Sequence, residues 1–276
     1  MNVVKKLGYG QGHVYRHMLS SRIVTRSFQR NYASVKSSSA SNTAYIVGAV
    51  SQEYIPPTGA NLPKLFQQPK LYFRSLQRKA IYIAGYTFRY CRYLLKYRKR
   101  PSYSEWREDA VQTYIAVNKA FAENNVNQLQ EKSSMYVYES LKDRLANMDK
   151  NWKLSWDLVE FLEKPKLITL NAIEEGNDRL LQLVYRFHTI QELQMSFPSN
   201  PKVPTKTQRQ SSLDYIVFVS DLDSGEMRLS GSLFETPLLQ PLANSVAAQS
   251  VLFKDMQANG DIFRRKPTPP NFDQLE

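Results

Sequence analysis

Carboxylates are the only groups numerous enough in this chain to support acid–base or metal chemistry, and they are poorly arranged for it. Glu174, Glu175 and Asp178 flank Gly176-Asn177, a turn signal, where a cluster of charges is ordinarily solvated. Asp221 and Asp223 lead into Ser224-Gly225 and suit turn chemistry better than a general acid–base pair. Of three histidines, His13 and His17 lie in an N-terminal basic block, which leaves His188 for the body of the chain. It follows Phe187 in an alternating pattern and reads as a strand-edge or surface histidine. Cys91 is the single cysteine, so neither an intrachain disulfide nor a cysteine-type zinc site can form. Phosphate-loop and dinucleotide-binding fingerprints do not occur. The expectation is a protein that is not an enzyme, with no catalytic, cofactor-binding or metal-binding residues and no cofactor.

Cations are the residues whose pattern carries information. From Tyr54 to Ser104 there are eleven Lys or Arg and no acid, whereas residues 105–276 hold 19 basic and 24 acidic side chains. On a helical wheel of residues 70–97, Arg74, Arg78, Arg89, Arg92 and Lys96 fall within about 60°. Tyr72, Phe73, Leu76, Ile83, Thr87, Tyr90, Cys91 and Leu94 occupy an arc of about 100° on the other side, with Lys79 at its border. Such a helix is about 40 Å long. Three partners compete for it: solvent, with the apolar face packed on the domain; anionic headgroups; or RNA phosphates. A solvated face mixes acids among its bases to limit self-repulsion, so the missing acids favour an anionic partner. The candidate contact residues are Arg74, Arg78, Arg89, Arg92, Lys96, Arg98, Lys99 and Arg100. The longest apolar run, Ala80 to Phe88, has nine residues, against the ~20 that span a bilayer, so membrane contact is expected to be peripheral.

The elements that must position these groups follow from punctuation and period. Pro69 suits a first helical turn and Pro101 a stop, giving a basic amphipathic helical segment within residues 62–101. Ser102 and Glu105 have capping-box spacing before a helix reaching Glu123, and a second helix is expected from about Val126 to Met148. The period then changes to two. Trp152–Leu162, Leu167–Ile173 and Leu180–Phe187 read as strands, and Leu213–Val219 and Met227–Phe234 as a hairpin around Asp223-Ser224-Gly225. Residues 197–212 read as an exposed loop, Pro237–Asn244 as a linker, Val246–Ala258 as a short helix and residues 265–276 as a mobile tail. Helices followed by an antiparallel meander make an α+β domain over residues 102–264.

The N-terminal block is an address. Met1 to Gln52 contains seven basic residues and no acid, and residues 1–42 are rich in Arg, Lys, Ser and small side chains. This is transit-peptide composition, and it implies a mitochondrial destination. Arg30-Asn31-Tyr32 followed by Ala33-Ser34 has an arginine two residues before an aromatic, so cleavage is expected after Tyr32. That defines a presequence of residues 1–32 and a linker of residues 33–61. The remainder keeps 31 basic against 25 acidic residues.

IPPTGANLP (55–63), QTYIAVNKAFA (112–122), LLQLVYRFHT (180–189), DYIVFVSD (214–221), MRLSGSLFE (227–235) and NGDIFR (259–264) occur in this order. With them, the chain resembles the inner-membrane mitoribosome receptors of yeasts over roughly Tyr54 to Arg264. That family is related to an animal mitoribosomal large-subunit protein and shares a domain type with the motor-anchoring subunit of the presequence translocase. The resemblance implies a nuclear-transport-factor-like (cystatin-like) cone, with helices cradling a curved antiparallel sheet. It also implies a peripheral protein on the matrix side of the mitochondrial inner membrane. There it would bind the large mitoribosomal subunit, protein and ribosomal RNA, so that nascent hydrophobic chains emerge beside an oxidase-assembly-type membrane insertase for co-translational insertion. Two other readings remain open: a matrix-side anchor in presequence-directed import, and a small-molecule binder or enzyme using the cone cavity through a buried carboxylate or His188.

Overall fold

The computed structural model describes residues 41–267, apart from 50–53, 99, 150, 176–177, 199–203 and 239–248. Among the described residues, five α-helices precede the sheet: α1 (Ser41–Ile46), α2 (Pro69–Tyr97), α3 (Tyr103–Ala122), α4 (Val126–Lys132) and α5 (Met135–Ala146). Four strands follow, β1 (Lys153–Glu175), β2 (Asp178–Ser196), β3 (Lys206–Asp221) and β4 (Met227–Leu233), then α6 (Gln249–Gly260). The strands form one antiparallel sheet in the order β1-β2-β3-β4, which makes the domain α+β. The predicted presequence, residues 1–32, lies outside the described residues.

Side chains alternate across a pleated strand, and here both sets are covered. Leu181, Leu183, Tyr185 and Phe187 of β2, with Ile216 and Phe218 of β3, pack on Tyr114, Val117 and Phe121 of α3 and Leu141 of α5. From the opposite set, Val184, Tyr215 and Val217 pack with Ala49 and Ile55, and Val219 packs with Ala44. Part of the stretch expected to be a linker is therefore a strap across the sheet. It is pinned by Ser230 Oγ donating to the Val47 carbonyl at 2.6 Å and Asn259 Nδ2 donating to the Ala49 carbonyl at 2.8 Å. The Ile55 amide donates to Thr236 Oγ1 and the Thr236 amide returns a bond to the Ile55 carbonyl, both at 2.9 Å.

Several expected boundaries move for identifiable reasons. Ser102 precedes α3, but its side chain makes no capping bond to the helix. The single helix expected over 126–148 is two, because Ser133 bridges to Leu229 and the Ser134 amide donates to the Leu229 carbonyl at 2.8 Å. The strands expected on either side of Pro165 are one 23-residue strand, whose register shifts absorb the proline between Glu163 and Lys166. Lys206–Ser212, expected as loop, pairs with Thr189–Met195, so β2 and β3 extend as a polar ribbon. The hairpin at Asp221–Glu226 is as read: the Gly225 amide donates to the Asp221 carbonyl, with Gly225 at φ 76°.

β1 is an edge strand, and α2 lies along it. Tyr82 of α2 donates its hydroxyl to the Ile168 carbonyl, satisfying a backbone acceptor that the sheet leaves open. Covering an edge in this way protects it from strand addition. Tyr93 meets Trp106 edge-on at 5.9 Å and tilts against Tyr97 at 5.1 Å, which fixes the C-terminal half of α2 against α3.

Candidate interface on the acid-free helix

α2 begins with Pro69 in its first turn and is capped after Tyr97 by Arg98, a residue with φ 50° whose amide still donates to the Leu94 carbonyl. Its inward line is Ser75, Arg78, Tyr82, Tyr86, Arg89 and Tyr93, all buried or half-buried. Tyrosine suits this line because its ring packs while its hydroxyl can still hydrogen-bond, as Tyr82 does to the Ile168 carbonyl.

The helix is therefore rotated by about 120° from the packed orientation weighed from the sequence. Of the wheel's apolar arc, Tyr72, Tyr90 and Leu94 are half-buried, but Phe73 and Ile83 are 63% and 52% exposed; Phe88 and Leu95, beyond that arc, are 69% and 80% exposed. Leu76, Ile81 and Cys91 are exposed as well. Angular spacing tells which residues share a face but not which face turns inward. Here the tyrosine line decided it, and only the unbroken acid-free composition hinted that the outer face was unusual.

The eight candidate cations separate accordingly. Arg74, Arg92, Lys96, Arg98 and Arg100 are exposed and Arg89 is half-buried. Lys99 lies outside the described residues. Arg78 is 6% exposed and donates to the Pro237 carbonyl at 3.0 Å, so it is an interior residue and leaves the contact set. Burial depresses its pKa, partly offset by Tyr54. At the C-terminal end, Arg89, Arg92 and Lys96 border a shallow cleft with Tyr93, Tyr97, Asn171 and Ala172.

The carboxylates considered for catalysis are placed structurally. Asp221 accepts from the Asp223 amide at 2.8 Å and from Ser224 Oγ at 3.0 Å, and Asp223 pairs with Arg179. His188 is half-exposed, with Nδ1 3.4 Å from Glu163 Oε1. Arg186, with that histidine, holds the Glu163 carboxyl below its ordinary range. The side chains of Glu174, Glu175 and Asp178 lie outside the described residues. Between α3 and the sheet, Tyr114 stacks on Phe187 at 4.8 Å and meets Trp156 edge-on at 6.0 Å. Gln191 joins these rings, its Nε2 donating to Tyr114 Oη at 2.7 Å and its Oε1 accepting from Trp156 Nε1 at 3.0 Å. Aromatic side chains thus pack between α3 and the sheet.

Residues 33–268 match the family described as MBA1-like protein. This chain is a member of the MBA1-like family. The match is wider than the stretch singled out from motifs, extending to residue 33 at one end, ahead of the strap, and to residue 268 at the other. Among MBA1-like relatives, the chain is 32% identical over 225 residues to the Saccharomyces cerevisiae inner membrane mitoribosome receptor MBA1, an alignment covering 80% of each chain. It is also 30% identical over 105 residues to an uncharacterised Schizosaccharomyces pombe protein, covering 37% of this chain and 38% of that one.

Proposed function

We propose that this MBA1-like protein is a peripheral receptor on the matrix face of the mitochondrial inner membrane that binds the large mitoribosomal subunit. The observation that carries this reading is the 80% two-way coverage, at 32% identity, by a relative named as an inner membrane mitoribosome receptor. The fold gives it support. Arg74, Arg92, Lys96, Arg98 and Arg100 stand exposed on a segment without acids, a composition suited to phosphate-rich partners. Among the described residues no helix is long and apolar enough to cross a membrane, consistent with peripheral attachment. Residues 1–32 act as a presequence in this reading, and the family match beginning at residue 33 agrees with removal after Tyr32. The antiparallel sheet cradled by helices is assigned to the nuclear-transport-factor-like cone. By tethering the subunit, the receptor would hold emerging hydrophobic chains beside an insertase.

The test is a triple charge reversal, Lys96→Glu, Arg98→Glu and Arg100→Glu, in co-sedimentation with purified large mitoribosomal subunits. All three positions are exposed, so the variant keeps the wild-type melting temperature. It loses most of its pelleting, and its salt dependence flattens by roughly one unit of log–log slope per phosphate contact removed. Unchanged pelleting of the variant rejects this contact surface; no pelleting of the wild-type protein rejects the receptor function.

A further inference from the structure

The outward face of α2 is an apolar stripe with nothing packed on it among the described residues. Phe73, Leu76, Ile83, Phe88 and Leu95 line it, exposed by 43–80%, and from Phe73 to Leu95 it runs about 33 Å along the helix. Gln77 and Thr87 are the polar residues within this arc. The borders are cationic. Arg74 and Arg92 stand five turns apart on one side and Lys79 on the other, all exposed, and no acid occurs between Tyr54 and Ser104.

We propose that this stripe lies in the acyl boundary of an anionic phospholipid bilayer, with α2 parallel to the membrane plane and Arg74, Arg92 and Lys79 at headgroup level. The charges choose among occupants. Ribosomal RNA offers phosphates to the arginines but no apolar counterpart for the phenylalanines, isoleucine and leucines between them. A protein groove would have to be apolar over some 33 Å and rimmed by acids on both sides. A second copy of this helix would bring cation against cation along both borders. A bilayer carrying anionic lipid supplies an apolar plane and a negative border together, without any register to match. The inference deepens the receptor reading and rests on it for the choice of a membrane. It adds an orientation: the β1 edge of the sheet faces the bilayer across α2, and the opposite edge strand, β4, faces away.

Cys91 provides the probe. It is the single cysteine, it is exposed, and it lies between Phe88 and Leu95 on the stripe. An environment-sensitive fluorophore on Cys91 of the full chain reports α2 itself rather than the basic residues 1–32. The labelled chain is mixed with vesicles of phosphatidylcholine containing about one third phosphatidylglycerol, with and without acyl-chain spin labels. The expected result is a blue shift with quenching by the acyl-chain label, absent on pure phosphatidylcholine vesicles. A Phe73→Ser/Ile83→Ser variant loses at least tenfold of this signal at an unchanged melting temperature. Flotation of the protein without quenching at Cys91 overturns the proposal, because the membrane is then reached by another surface. So does protection of Cys91 by large mitoribosomal subunits in the absence of vesicles, or a concentration-dependent dimer that the same two substitutions dissolve. Pelleting of the serine variant with ribosomal subunits separates the two readings. Retained pelleting with lost quenching supports both, and retained pelleting of a wild-type chain that is never quenched leaves the receptor standing without this membrane face.

Discussion

The Arg78 guanidinium donates to the Pro237 carbonyl and lies beside Tyr54, away from solvent. Removing this guanidinium loses a hydrogen bond made by a charged group, an effect of about 1.5–3 kcal/mol. Arg78→Ala is therefore expected to lower urea-unfolding stability by that amount. Arg92→Ala, at an exposed position, should stay within about 0.5 kcal/mol of wild type. Equal effects on stability would contradict the division between interior and surface arginines. The sequence made all eight cations look alike because a wheel reports angle alone; Arg78 and Arg92 differ by only about 40°, yet one reaches a carbonyl beneath the helix and the other reaches solvent. Asp221 was legible because turn chemistry is local; His188 is half-exposed as a surface residue but lies on the central strand β2 rather than at a sheet edge.

Elements whose signals are local were read well, and those fixed by distant contacts were not. The hairpin at Gly225, the proline start of α2 and the period-two strands depend on neighbours in sequence. The break between α4 and α5 depends on Leu229, about a hundred residues away, and the strap over the sheet depends on Asn259, Ser230 and Thr236. Gly231 sits at that long-range junction. Its φ is 153°, and a Cβ there would lie 2.7 Å from the Asn259 carbonyl oxygen and 2.8 Å from Ala49 Cβ. Gly231→Ala is expected to cost about 1–3 kcal/mol and to expose residues 44–58 to limited proteolysis before the rest of the fold. A stable, protease-resistant Gly231→Ala protein would show that the strap is not held through this contact.

At the scale of the molecule, the core is rich in phenols that ionise with difficulty. Burial raises the pKa of Tyr114, Tyr185 and Tyr215, reinforced at Tyr114 by Asp214 and at Tyr215 by Glu235. Because their folded pKa values lie above the unfolded value near 10, their contribution is fully present below about pH 10 and is lost as pH rises beyond it. Melting temperature should accordingly be insensitive to these groups at pH 7–9 and fall above about pH 10. The buried share of the 17 tyrosines should give phenolate absorbance only on unfolding. Ionisation of all of them near pH 10 with the fold intact would refute this packing. The same architecture leaves the charged end of α2 outside the core, where it can meet a partner without disturbing the sheet.

The most direct test of the receptor is co-sedimentation of the wild-type chain with large mitoribosomal subunits from 50 to 200 mM salt. With about five phosphate contacts, affinity should fall several hundred-fold across that range. Pelleting that is absent at every salt concentration would contradict the account.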